Sequence, residues 1–535
     1  MAFVTNDANF TQLSITDSFN FLTAREQRIL EKSWAKHFAE KIFPKIDEKP
    51  YAVLYSTKDS RPNTPVNVQI GALILKELTG QSDDEIFESL LFDVRYQYAL
   101  HTTSMEEQPM SDRTLGRFRQ RCTAYEQETG IDLLHGTITA LAEEMAEIMK
   151  VDRTLKRMDS FMVASNIKKM SRLELLYTCV SNLVKAASKQ KIEIPEELSH
   201  YLCENDRNEV IYHNRSEETI SRIDKVLSEA RSIKSLCEGN FDETSEYQLL
   251  IRVLKEQTIQ EEDGTCHLKE KEDKSLNASI LQNPADPEAT YREKAGKQNR
   301  GYVANVTEES GENGSIITDY QYEQNIHSDS KFLQEKLENM EKQETPVTIV
   351  TDGAYSGETT EKTAAEKNVS LITTNLTGRE TPDIHADFEF SEDGCRVIKC
   401  ASGNVPKKNT YNRSTGQVVA AFPREQCDSC PYKDICKPKM NKKTSRKTIS
   451  VRSKERALKQ RFHASEAFKK LAAFRNGVET IPSVLRRSYG IDHMPVRGKL
   501  LTKFFIGCKI GALNFRKFCK YLQDVDLCAQ KSVIA

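Results

Sequence analysis

Apolar residues recur at helical spacing through most of the first 150 positions. Leu30, Trp34 and Phe38 keep one register over residues 23–41, which predicts a helix there. A turn-rich stretch, DSRPNTP at 59–65, precedes a second helix over 66–78 that carries Ile70, Leu73, Ile74 and Leu78. Ser82 is placed to cap a third, with Glu85 at the capping-box position, running through Phe92. The run Ser111-Asp112-Arg113-Thr114 opens a fourth, continuing as LGRFRQRC. Two readings fit this last stretch. It is a helix-turn-helix-like element in which Arg113, Arg117, Arg119 and Arg121 meet phosphates, or it is a helical scaffold with ordinary exposed arginines.

The pattern changes after residue 150. The segment 154–164, TLKRMDSFMVA, reads as a strand with Leu155, Met158 and Phe161 apolar and Asp159 interrupting them. Residues 171–274 are helical and highly charged, with heptad-like apolar positions that suggest an inserted paired-helix arm. Strands resume at 301–306 and 315–322 around the turn-rich ESGENG, followed by a helix over 330–342. Short apolar strands follow at 347–350 and 369–374. This order predicts an α/β core around a mixed sheet. Between 377 and 440 the signals are short strands (FEF, CRVIKC, GQVVAAF) among Asn, Gly and Pro. Residues 446–470 read as a basic helix, 468–487 as another, and 498–522 as an apolar-basic helix that packs back on the core.

Composition narrows the picture. A chain of 535 residues exceeds one simple core, so several domains or one core with insertions are expected. No apolar run approaches the roughly 20 residues that span a bilayer, and the N-terminal MAFVTNDANF lacks a basic signal-peptide start. The expected setting is the cytosol, where thirteen cysteines serve as free thiols or metal ligands and not as a disulfide framework. The net charge of −2 conceals an asymmetry. Residues 437–520 hold 23 Lys and Arg against 4 Asp and Glu, a surplus of 19 that the rest of the chain offsets. A block this basic, interleaved with aromatic residues, suits a polyanion such as DNA better than it suits a merely solvated face.

Candidate chemistry sits on three acids. Asp352 follows a β-branched run and precedes Gly353, either as a carboxylate delivered to a sheet rim or as a cap for the next helix. Asp159 lies within an apolar strand, where a metal site, a salt bridge to Arg157 or a buried hydrogen bond would account for it. Glu479 is a lone acid on a basic helix, with Arg475 four before it and Arg486 seven after, all near one face unless Pro482 kinks the helix. Cys427, Cys430 and Cys436, with Cys400 or Cys395 upstream, form a C-x2-C-x5-C cluster. It suits either tetrahedral zinc or free thiols.

These motifs together resemble the bacterial insertion-sequence DDE transposases. DSFMVASN at 159–166 resembles the first-aspartate strand, NPADPEATYREKAGKQNRGYVANV at 283–306 the segment forming the second strand, and TDGAYSGE at 351–358 the second-aspartate motif. RNGVETIPSVLRR at 475–487 resembles the helix bearing the catalytic Glu. RPNTPVNVQIGALILKELTGQSDDEI and SDRTLGRFRQR resemble the helical N-terminal domain, and a Cys-bearing β insertion fits one subgroup. One departure is Ala472, where a tyrosine is expected three before the Arg. Trp34, the only tryptophan, leaves base flipping by a core tryptophan without support.

The resemblance implies an RNase H-like fold with a mixed five-stranded sheet, an all-helical N-terminal domain at 1–150, and a core from 151–170 and 284–376. It further implies a helical insertion at 171–283, a β-rich Cys-containing insertion at 377–445 and a basic helical part at 446–525 carrying Glu479. Asp159, Asp352 and Glu479 are then the catalytic acids. They hold two Mg²⁺ or Mn²⁺ ions, with Asp159 bridging both and the other two each completing one. Arg475, Arg486 and Arg487, with Arg113 and Arg117, contact DNA. Cys400, Cys427, Cys430 and Cys436 are the candidate structural zinc ligands. The implied partners are terminal inverted repeats and target DNA, bound by a homodimer, with no membrane. Two alternatives stay open: a metal-dependent nuclease that does not join strands, and a catalytically silent transposase-derived DNA-binding protein.

Overall fold

Strand β1 (Leu155–Ala164) forms where its apolar run predicts. The computed structural model describes residues 1–6, 18–58, 61–102, 110–212, 219–260, 266–270, 272–294, 296–375 and 380–534. They divide into two units: 1–336 with 480–535, and 337–479.

In the first unit, the helix predicted over 23–41 is broken. Thr23 caps a helix Ala24–Glu31 through a capping box with Glu26, and Ser33 caps a new turn, Trp34–His37. A mid-pattern Ser can satisfy free amides at a new start more cheaply than it can sit inside a helix. Helix α1 (Val66–Thr79) is buried on nearly every side and ends at Gly80 in the left-handed conformation. Helix α2 (Asp83–Phe92) starts at Ser82 with the expected capping box to Glu85. Helices α3 (Thr114–Thr129) and α4 (Leu133–Ile148) follow.

The inserted segment is a three-helix body, not a paired-helix arm. Its three long helices are α5 (Arg172–Lys189), α6 (Thr219–Cys237) and α7 (Ser245–Gln257), with a short helical stretch, Asp206–Ile211, between the first two. Leu176, Val180, Leu183, Val226, Ile233, Leu250 and Val253 form its own core. Three apolar faces are needed to bury a stripe this wide.

Strands β2 (Thr290–Lys294), β3 (Lys297–Gly311) and β4 (Gly314–Gln324) join β1 in antiparallel pairing. Asp159 stands opposite Val306, and Gly311 opposite Gly314. The β3–β4 hairpin therefore turns over Glu312 and Asn313 alone, and Glu309 and Ser310, expected in the turn, belong to the strand. The register shifts between Thr307 and Glu308. Glu308 is buried and paired with Arg157 (Arg157 Nε to Glu308 Oε2, 2.7 Å) and with Lys517.

The second unit holds a parallel pair, β5 (Val347–Thr351) and β6 (Val369–Thr373), linked by helix α8 (Glu358–Glu366). A small antiparallel sheet follows: β7 (Lys408–Asn412), β8 (Gln417–Pro423), β9 (Lys439–Met440) and β10 (Thr444–Ile449). The sequence pattern puts 446–449 in a helix, but the structure places these residues in β10, paired with β8. Pairing with Val418–Ala421 outweighs the helix propensity of a short Lys/Arg run. Helices α9 (Val451–His463) and α10 (Glu466–Asn476) come next, separated because Ser465 caps the second.

The chain returns to the first unit in α11 (Thr480–Tyr489) and α12 (Lys499–Ile534). Helix α12 packs on α1, α4 and β4, as the sequence predicts. Close approach requires small residues: a Cβ on Gly507 would lie 2.4 Å from the Tyr320 hydroxyl, and one on Gly511 2.7 Å from Ile138. Buried Asn514 covers the open edge of β4. It accepts from Ile317 N at 3.0 Å and donates to Ile317 O at 2.7 Å. The outward main-chain groups of Ile317 are thereby satisfied by one side chain. Antiparallel strands in one unit, a parallel pair in the other and a helical N-terminal region give the mixed α/β make-up expected of an RNase H-like core. Among the described residues no helix is long and apolar enough to cross a membrane.

Candidate functional site

In the second unit, β5 ends at Thr351 and hands the chain to Asp352. The Asp352 side chain caps the short turn Gly353–Tyr355, Oδ1 accepting from Ala354 N at 2.8 Å. Both readings of this residue therefore meet in one place: it stands at a strand end and it caps. Gly353 is required by proximity, because a Cβ there would sit 2.5 Å from the Asn375 carbonyl oxygen. Tyr355 is fully buried and anchors the turn.

Helix α10 packs against β5 and leads through the turn Gly477–Glu479 to Glu479. The segment 468–487 is not one continuous helix. Helix α10 ends at Asn476, a 3₁₀ turn spans Gly477–Glu479, and α11 begins at Thr480. Pro482 falls in the first turn of α11, where its missing N–H costs nothing. Arg475 is buried and its Nη1 pairs with Oε1 of Glu479, whose side chain is 58% exposed. An arginine held by packing fixes a mobile carboxylate at little entropic cost.

In the first unit, Asp159 is half-buried on β1, flanked by buried Met158 and Ser160. Arg157, two residues before it on β1, pairs with Glu308. Around this strand lie two carboxylates that the sequence pattern did not single out. Ser160 Oγ donates to Asp329 Oδ1 at 2.6 Å. Asp286, with no exposed surface, accepts from Tyr302 OH at 2.6 Å and from Ser165. Burial, and then the Asp286 carboxylate, hold the Tyr302 proton far above the usual phenol range. Both aspartates sit in polar loop or helix-start sequence that reads as capping, so nothing local marked them. Arg486 donates from Nη2 to the Met162 carbonyl of β1 at 2.7 Å and from Nε to Asp492 at 3.0 Å. Arg487, Arg113 and Arg117 are exposed. Arg119 is buried and paired with Asp83.

Cys400, Cys427, Cys430 and Cys436 line one cavity of about 30 Å³ with Phe388, Phe422 and Lys447. Cys395 is not among the lining residues, which favours Cys400 as the upstream member. Burial pushes the Cys427 and Cys436 thiols up and the neighbouring Lys447 ammonium down. Ser402 Oγ lies 2.9 Å from Cys430 Sγ.

Asp159 belongs to the first unit, Asp352 and Glu479 to the second. Among the described residues no three His, Cys, Asp or Glu side chains are grouped closely enough to hold a metal ion. The donor chemistry nonetheless suits each implied metal: hard carboxylate oxygens for Mg²⁺ or Mn²⁺, and four thiols on one cavity for zinc.

Two stretches of the chain match known families. Residues 27–121 match the family described as Transposase domain (DUF772), and residues 399–519 match the Transposase DDE domain. The second match spans the cysteine cluster, Arg475, Glu479 and Arg486. No curated protein and no solved structure matches the chain.

Proposed function

For a chain that belongs with the DDE transposases of insertion sequences, we propose that it binds the terminal inverted repeats of its element and carries out Mg²⁺- or Mn²⁺-dependent DNA cleavage and strand transfer. The observation that carries this reading is the packing of α10 on β5 within one unit. It sets the helix leading to Glu479 beside the strand leading to Asp352, inside a stretch of strong positive charge.

Asp159, Asp352 and Glu479 would hold the two ions. When bound, such a pair of ions activates the attacking oxygen and stabilises the leaving one. The chain's own groups do the remainder. Arg475 orients the Glu479 carboxylate. Arg487 and Arg486 offer guanidinium groups to strand phosphates, and Arg113 and Arg117 do so from the N-terminal helices. Water first breaks a phosphodiester and leaves a 3′-hydroxyl. That hydroxyl then attacks a second phosphodiester, forming one P–O bond as another breaks. Pairing of two element ends calls for a homodimer on DNA, acting in the cytoplasm. The four cysteines would take one structural zinc that staples the small sheet.

A labelled terminal-repeat duplex tests the reading. Incubated with Mg²⁺ and target plasmid, it should give both cut ends and joined products, and Asp352→Ala should abolish both. Cut ends with no joined product would make the protein a nuclease. Unchanged processing by Asp352→Ala would end the catalytic reading of that residue.

A further inference from the structure

The N-terminal helical region holds a cavity of about 570 Å³, within the roughly 300–1,000 Å³ range of ligand sites. Arg61, Arg117 and Arg121 line it, and no Asp or Glu among the described residues does. None of the three arginines is ion-paired with a carboxylate among the described residues. Arg119 of the same helix, in contrast, is consumed by Asp83. Concentrating unneutralised guanidinium groups around one hollow is unfavourable without an anion to offset their repulsion.

One further feature favours an anion. Arg121 is held over the Tyr55 ring at 5.1 Å, and Tyr55 OH in turn accepts from Gln69 Nε2 at 3.3 Å. That guanidinium is therefore pre-positioned. The volume exceeds that of a lone phosphate.

We infer that this cavity is a DNA-backbone subsite that takes one phosphodiester and its adjoining sugar through Arg61, Arg117 and Arg121. The inference deepens the transposase reading and rests on it. It adds a sequence-independent grip, remote in sequence from the carboxylates, that positions DNA without reading bases.

The test uses the full chain and a labelled terminal-repeat duplex, with affinity measured across a salt series. The double variant Arg61→Ala/Arg121→Ala should weaken binding about tenfold and flatten the log–log salt dependence by about one. Exposed Arg117→Glu, which leaves the buried helix face intact, should do the same. The Arg61→Lys/Arg121→Lys pair should restore the salt slope. Free thymidine monophosphate should compete only at millimolar concentration; competition at micromolar concentration would reassign the cavity to a free nucleotide and overturn the inference. Unchanged affinity and slope in both variants, while the wild-type chain binds and cuts the duplex, would overturn the subsite and leave the transposase reading standing. A wild-type chain that neither binds nor cuts DNA would bring down that reading, and this inference with it.

Discussion

Arg475 and Glu479 form an ion pair across the point where helix α10 gives way to a 3₁₀ turn. The arginine is buried and the glutamate is mostly exposed, so the first is a fixed support and the second the group it presents. Removing the support should misplace the carboxylate without deleting it. We expect Arg475→Ala to lower metal-dependent DNA cleavage by about 10–100-fold, as loss of a partner to a metal-ligating carboxylate does. Glu479→Gln should abolish cleavage outright. Rates measured over a Mg²⁺ titration separate the two, because the arginine variant should be partly rescued by higher metal concentration. An Arg475→Ala chain that cuts at the wild-type rate at every Mg²⁺ level would deny the arginine this role.

The extent to which this site was legible in the sequence depends on where the information lies. The strand positions of Asp159 and Asp352 were readable because a charge that interrupts or ends an apolar strand is a local anomaly. The capping box at Ser82 and Glu85 is a contact over three residues, and it formed as read. The break at Gly477 was less visible. Arg475 and Glu479 have ideal helical spacing, and a 3₁₀ turn preserves that contact while ending the helix. Residues 446–449 failed for the opposite reason: their pairing partner, β8, lies some way upstream, and alternation over the six residues of β10 is a weak signal. Asp286 and Asp329 were invisible because their significance is tertiary. Each is defined by a hydroxyl donated from the β1 region.

The turn after Asp352 depends on Gly353. A methyl group there meets the Asn375 carbonyl, which is backbone and cannot swing away. Gly353→Ala should therefore cost about 1–3 kcal/mol, the usual penalty for overpacking, and should displace the Asp352 loop. Chemical denaturation of the full chain measures the first effect and cleavage rate the second. Retention of both at wild-type level would mean that the loop has room that the close approach denies.

If the four thiols take zinc, the metal should copurify at one ion per chain, as measured by elemental analysis. Cys427→Ser and Cys400→Ser should lose it, and Cys395→Ser should keep it, because Cys395 does not line the shared cavity. A chelator at neutral pH should release the ion and leave the thiols open to alkylation, loosening the small sheet around Val418, Ala420 and Phe422. Metal-free protein with all four thiols reactive from the outset would assign them as free cysteines.

His385 makes the second unit sensitive to acid. It is 7% exposed, neither ring nitrogen has a hydrogen-bond partner among the described residues, and burial, with a smaller contribution from Lys447, depresses it from the ordinary imidazole value of 6.5 to about 4. The folded chain therefore holds His385 neutral well below the pH at which the unfolded chain takes up a proton. Above pH 6.5 neither state binds the proton and folding carries no penalty. As pH falls from 6.5 towards 4, only the unfolded state gains a proton, and stability declines by up to about 1.4 kcal/mol per pH unit. Below about pH 4 both states are protonated and the loss levels off at about 3 kcal/mol. His385→Phe, which keeps a ring and removes the titration, should flatten the stability profile across this window. Denaturation curves for the two chains between pH 4 and 7 check the expectation. Parallel profiles would mean that other groups set the acid response.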